Sequence, residues 1–280
     1  MNEIEKQKIQ AQIQDDKEHA EYNGPDRMVA STEIQEEMDK NPTSNFKLMT
    51  QFSALNSAFD GFKEGNTIVI AGHTNHGKTD LAVDFAQHFI KNGVNVAWFN
   101  FETSTKILLD RFKRKCDGEL PLFYLPRERK ESFKWFMHKI KEVMLKHSPK
   151  VIFIDNLSGL TDMKDMDNAN LSSNYSVYVG AVMKKVVDLA IQYNIIIFLL
   201  VDPRKAEEDQ VLSLSDVARD SSLITSKPDA VLTIWHQCKR NREGYDYFNT
   251  SWLNILKNRE YGEKGKIKLT YENWKFKETM

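Results

Sequence analysis

From Phe46 onward the chain alternates between two textures. Short apolar, β-branched runs recur at "TIVIA" (67–71), "NVAWFNF" (95–101), "KVIFID" (150–155), "IIIFLLV" (195–201) and "DAVLTIW" (229–235). Between them lie stretches whose apolar residues repeat every three to four positions. Leu81, Phe85 and Phe89 share one helical face. Phe133, Phe136/Met137, Ile140 and Val143/Met144 share a second, and Val179, Val182/Met183, Val186 and Ala190 a third. Runs of the first kind predict buried strands and those of the second predict covering helices, so the alternation predicts an α/β fold with a central, mainly parallel sheet flanked by helices. The tail "YFNTSWLNILKNREYGEKGKIKLTYENWKF" alternates more simply around Gly262 and Gly265, which predicts a C-terminal antiparallel hairpin on the sheet edge.

Residues 1–45 differ. They are rich in Glu, Gln, Lys and Asp and almost free of aromatics. Within them, "STEIQEEMDKN" (31–41) sets Thr32 three residues ahead of Gln35, the spacing of a capping box, with "NP" to follow. The division expected is therefore a polar N-terminal segment over 1–45, carrying one candidate linker helix, and one larger α/β domain over 46–280.

Composition narrows the class without choosing the function. The chain has 280 residues, 41% hydrophobic and 28% charged, as in ordinary globular proteins. Its longest apolar run is too short to span a bilayer, and the N-terminus mixes acids and bases with no apolar segment, which predicts neither a membrane span nor a secretory signal. Two distant cysteines, Cys116 and Cys238, point to a reducing compartment and away from structural zinc. The expected location is the cytoplasm. With 39 Lys plus Arg against 40 Asp plus Glu, net charge neither requires nor excludes nucleic acid.

Chemistry enters at "GHTNHGKT" (72–79), which fits G-x-x-x-x-G-K-[ST] directly between a strand and an amphipathic helix. That context predicts a phosphate cradle built from Gly72, His73, Thr74, Asn75, His76, Gly77, Lys78 and Thr79, with the helix start facing the anion. Lys78 neutralises the β and γ oxygens of ATP in this reading, and the Thr79 hydroxyl ligates Mg²⁺. "KVIFIDNL" brings Asp155 to the end of a strand, where a carboxylate serves the Mg²⁺ shell. Glu102, just past "NVAWFNF", is the candidate to orient the attacking water, with a helix cap as the plainer alternative. Adjacency of the two strands decides between them.

Taken together, these motifs resemble the RecA-like motor domain of DnaB-type ring helicases, the replicative helicases of bacteria, phages and mitochondria. The resemblance runs over about residues 28–276. It is carried by "FSALNSAFDGFKEGNTIVIAGHTNHGKT", "FNFETSTKILLDRF", "VIFIDNLSGL", "LSLSDVARDSSLITSKPDAVLTIW" and, most specifically, "LNILKNREYGEKGKIKLTYENWKF". It implies that Lys257 and Arg259 reach the ATP of the adjacent subunit in a homo-oligomeric, hexameric ring, adding cationic charge to the catalytic groups Lys78 and Glu102. It also implies that Arg219, Asp220 and Ser222 sit in a loop that tracks single-stranded DNA. Arg204 and Lys205, just after the fourth strand, are further candidates for that contact, as is the long polar connection 161–178. A primase or a loader is the implied additional partner.

Two departures stand out. The family usually carries Gln or His at the end of the fourth strand, whereas this chain has Val201 or Asp202 at that point. The family's additional N-terminal domain or primase is not expected within these 280 residues. The expectation is an ATP- and Mg²⁺-dependent DNA helicase. The alternatives are a RecA/KaiC-like oligomeric ATPase that does not unwind, and an adaptor that binds nucleotide without turnover. A kinase ranks last, because no acceptor-binding insert is evident.

Overall fold

The apolar runs become strands because both faces of each are covered. The computed structural model describes residues 3–24, 27–40, 46–130, 132–161, 175–204, 207–218 and 220–279. Within 46–280 the strands are β1 (Lys47–Leu48), β2 (Phe62–Lys63), β3 (Thr67–Ala71), β4 (Val96–Asn100), β5 (Val151–Asp155), β6 (Ile196–Val201), β7 (Ala230–Arg240), β8 (Tyr245–Asn258), β9 (Gly265–Glu272) and β10 (Lys275–Glu278). The helices of this unit are α3 (Ser53–Phe59), α4 (Lys78–Lys91), α5 (Thr105–Lys115), α6 (Phe133–His147), α7 (Tyr175–Tyr193), α8 (Leu214–Val217) and α9 (Leu223–Ser226).

β1 and β2 form a small antiparallel pair. The other strands make one sheet in the order β10-β9-β8-β7-β3-β6-β5-β4. β7, β3, β6, β5 and β4 run parallel, and β8, β9 and β10 are added antiparallel. This is the mainly parallel, helix-flanked RecA-like fold with antiparallel C-terminal strands. The antiparallel part is larger than a single hairpin. β7 continues past Trp235 to Arg240 and turns back into β8, and β10 closes on β9.

Side-chain alternation divides the core in two. Ile68 and Ile70 point to the face shared with Leu81, Phe85 and Phe89 of α4, while Val69 and Ala71 point to the face shared with Val182, Met183 and Val186 of α7. Strands buried on both sides read as unbroken apolar runs, which is why period-2 alternation was absent from them. Across the first face Trp98, Phe153 and Phe198 stand in register on β4, β5 and β6 and stack with ring centroids 4.8 Å apart. The predicted α6 stripe is less deeply buried than the others, with Phe136 and Ile140 its fully covered members.

The described residues of 1–45 form a separate unit. It contains α1 (Glu3–Ala20) and α2 (Ser31–Lys40). α2 buries none of its residues and starts at Ser31, so Thr32 lies inside its first turn and not at the expected cap. α1 has no apolar stripe. Good helix formers carry it, with side-chain pairs at i,i+4 such as Gln12–Asp16 and Gln14–Glu18.

Candidate nucleotide site

β3 ends at Ala71, the 72–77 loop turns, and α4 begins at Lys78 with Gly77 as its N-cap and no capping side chain. A helix start without a side-chain acceptor presents N–H groups suited to an anion. Both glycines of the loop are required by space. A Cβ on Gly72 would stand 2.7 Å from the Ile234 carbonyl oxygen of β7, and Gly77 has φ of +91°. Thr74 and Asn75 form the exposed tip, with Asn75 in the left-handed region at φ 65°. His73 and His76 are buried beneath it. His73 Nε2 donates to Gln210 O at 3.0 Å, and His76 Nδ1 accepts from the His236 backbone N–H at 3.1 Å. Burial, with His73 and His236 nearby, pushes the His76 imidazole down to about 4, although Glu208 Oε2 lies 3.7 Å from Nε2.

Lys78 and Thr79, both buried, carry the loop's chemistry to the sheet's carboxyl edge. Lys78 Nζ donates to Gly72 O at 2.9 Å and pairs with Asp202 Oδ1 at 2.9 Å. Thr79 Oγ1 donates to Asp155 Oδ2 at 3.1 Å. Asp155 Oδ1 is buried and has no hydrogen-bond partner, and burial together with the charge of Glu102 pushes this carboxyl up to about 7. An orphaned carboxylate oxygen next to a threonine hydroxyl fits a hard divalent cation. Such an ion would favour the ionised form that burial disfavours.

The strand order brings Glu102 to the same place. β4 pairs with β5, Asn100 stands opposite Asp155, and the backbone N–H groups of Phe101 and Glu102 donate to Asp155 O at 2.5 and 3.2 Å. Ser104, not Glu102, caps α5, its Oγ accepting from Ile107 N at 3.3 Å. The plainer reading of Glu102 as a helix cap therefore does not hold. Its exposed carboxylate accepts from Asn156 Nδ2 at 3.3 Å, and the same amide donates to Asp202 Oδ2 at 2.7 Å. Asn156 was not singled out by the sequence. Its only signal there was its place directly after Asp155.

Lys257 and Arg259 lie elsewhere. Lys257 Nζ donates to the carbonyls of Thr225, Ser226 and Pro228 at 2.9, 2.7 and 2.7 Å, and burial plus the charge of Arg259 pushes it down to about 8. Arg259 pairs with Asp229 at 3.1 Å and donates to the carbonyls of Ser226 and Lys227 at 2.8 and 2.6 Å. Asp229 in turn bonds Thr67, the first residue of β3, through both its backbone N–H and its carboxylate. The two cations thus hold the amino edge of the sheet, while the phosphate loop leaves its carboxyl edge, about 13 Å of strand away.

The loop candidates are only partly described. Arg219, Lys205 and residues 162–174 of the long connection lie outside the described residues. Arg204 is exposed after β6 and its backbone N–H donates to Asp216 O at 2.8 Å. Ser222 is exposed at the start of α9, two residues beyond Asp220. No helix among the described residues is long and apolar enough to cross a membrane.

Comparison with known proteins agrees with this layout. Residues 47–117 match the family described as DnaB-like helicase C terminal domain. Among solved structures, one of a DnaB-like replicative helicase, described with its interactions with primase, superposes with a TM-score of 0.69 at 17% identity, covering 90% of this chain and 68% of that one. A second solved structure, described as an ATPase domain, superposes with a TM-score of 0.67, also at 17% identity, covering 88% of this chain and 95% of that one. The resemblance to the motor domain of DnaB-like helicases, read first from motifs, is thus found by sequence over residues 47–117 and by fold over about nine-tenths of the chain.

Proposed function

We propose that this chain is an ATP hydrolase that moves along single-stranded DNA and unwinds duplex as a hexameric ring during replication, in the cytoplasm of a bacterial or phage-infected cell. The observation that carries the reading is the split between the sheet's two edges. Phosphate loop, Asp155 and Glu102 gather at the carboxyl edge, and Lys257 and Arg259 at the amino edge. A cation that cannot reach its own phosphate loop can serve a neighbour's, and a ring of such contacts couples turnover to subunit position.

In this reading the 72–79 backbone and Lys78 bind the β and γ phosphates. Thr79 and, through the ion's water shell, Asp155 would hold Mg²⁺, which would supply positive charge next to the transferring phosphoryl group. Glu102 orients a water and accepts its proton as the water attacks. Arg259, with Lys257 behind it, is supplied by the adjacent subunit and stabilises the charge that develops. Single-stranded DNA is gripped through its phosphates by the 219–222 loop and by Arg204 and Lys205. A primase or loader is the expected further partner, as the helicase solved with its primase interactions suggests.

A strand-displacement assay on a forked duplex tests this, with ATP and Mg²⁺, alongside particle size with and without an ATP analogue and single strand. Unwinding that Lys78→Ala abolishes, by particles of ring size, is the expected result. ATP hydrolysis by an oligomer that never displaces a strand would favour the RecA/KaiC-like alternative. Val201 or Asp202 at the end of the fourth strand, where the resemblance implies Gln or His, keeps this alternative open.

A further inference from the structure

The charge on Lys78 is already spoken for. Its Nζ pairs with Asp202 Oδ1 at 2.9 Å, at a site where the lysine is 7% exposed and the aspartate 34%. The other Asp202 oxygen accepts from Asn156 Nδ2 at 2.7 Å. Asn156 is itself held, since it is buried and its Oδ1 accepts from Ser158 Oγ. One carboxylate is thus fixed at both oxygens and aimed at the cation of the phosphate loop.

We propose that Asp202 is a positioning residue that serves as counter-ion to Lys78 and is exchanged for phosphate oxygens when a nucleoside di- or triphosphate binds, so that it sets the affinity of the site. The inference rests on the ATPase reading above and adds to it the residue that tunes phosphate binding. Lys78 cannot keep Asp202 at 2.9 Å and take a β-phosphate without bringing two anions together, and like charges at such spacing repel. Phosphate binding therefore competes with the Lys78–Asp202 pair. Glu102 accepts from the same Asn156 amide at 3.3 Å, so the displaced carboxylate remains beside the residue assigned to orient water. The position after β6 then responds to phosphate through exchange of a charge pair.

Calorimetric titration of the full chain with Mg²⁺ and ATP, ADP or AMP tests this. Asp202→Asn keeps the shape and a partner for Asn156 but removes the charge. It should bind ATP and ADP roughly five- to tenfold more tightly than the parent chain, with AMP unchanged. Asp202→Glu should stay near the parent. A gain of affinity confined to ligands with a β-phosphate is not what loss of a merely structural contact produces. Thermal unfolding checks that the variants are folded, and Asp202→Ser, which also lacks the charge, serves should Asp202→Asn fold poorly. Equal or weaker ATP binding by a folded, uncharged variant overturns the inference while leaving the ATPase reading intact, provided the parent binds ATP and Lys78→Ala does not. A parent chain that binds no nucleotide removes both.

Discussion

The ring of Phe276 on β10 lies against Gly77, so close that a Cβ on that glycine would stand 2.8 Å from Phe276 Cζ. The last strand of the chain thereby packs on the start of α4. The contact is reinforced where the Phe276 backbone N–H donates to Asp84 at 2.9 Å and where Lys115 bonds Asp84 and the Trp274 carbonyl. Gly77→Ala should destabilise the fold by roughly 1–3 kcal/mol, from positive φ and crowding together, and weaken nucleotide binding. The cost should shrink in a Phe276→Leu background, which removes the crowding and leaves the φ strain. A double-mutant cycle of denaturant midpoints checks this, and strict additivity would mean that the ring is not what limits residue 77.

Glu102 and Asp155 are joined through the backbone, the Glu102 N–H bonding the Asp155 carbonyl. Replacing the Glu102 carboxylate by an amide should therefore leave strand pairing and nucleotide binding in place. Glu102→Gln is expected to bind ATP with near-parental affinity and lose about 10²-fold or more in turnover. Fluorescent-nucleotide titration and phosphate release measure the two separately. Full turnover in this variant would pass the water-orienting role to another group.

What the sequence disclosed, and what it withheld, follows from how local each feature is. The phosphate loop is contiguous, so spacing and flanking texture sufficed for Gly72 to Thr79. The doubly buried strands announced themselves as apolar runs. β7 beyond Trp235 and β10 did not, because "HQCKR" and "KFKE" are polar stretches whose strand state comes from their pairing partners. α1 was missed because its stability is local and leaves no hydrophobic period. Whether Glu102 faces Asp155 depended on strand order, which no single segment encodes. The Lys78–Asp202–Asn156 chain joins the ends of separate strands to the loop. The carbonyl cage around Lys257 comes from α9 and the segment after it. Both exist only once the sheet has assembled.

His76 offers a pH test of the loop's packing. Its folded pKa of about 4 lies below the ordinary 6.5, so between these values the folded state binds fewer protons than the unfolded one. Stability contributed by the neutral ring is complete above pH 6.5 and is lost as pH falls toward 4. His76→Asn keeps an acceptor for the His236 N–H but does not titrate. Urea unfolding at about pH 7 and about pH 4.5 should show a smaller drop for the variant than for the parent. Identical drops would place the ring's proton exchange outside this burial.

The two-edge arrangement makes its sharpest prediction in mixed assemblies. Arg259 is anchored to Asp229, and through it to the first residue of β3, so it belongs to the face opposite its own Lys78. Arg259→Ala should keep nucleotide affinity close to parental, because nothing at the carboxyl edge is altered, and lose turnover by about 10³-fold or more. Lys78→Ala should fail to bind nucleotide. Each is inactive alone, but an interface that pairs an intact phosphate loop from the first with an intact Arg259 from the second has every group required. At equal mixing about a quarter of interfaces would have this composition if subunits assemble at random, and steady-state hydrolysis should recover toward that fraction. Recovery that grows with protein concentration and vanishes on dilution would locate the repair at a subunit contact. Mixtures no more active than their components, at concentrations where the parent is assembled, would return Arg259 to a purely structural role in tying β8 to the start of β7.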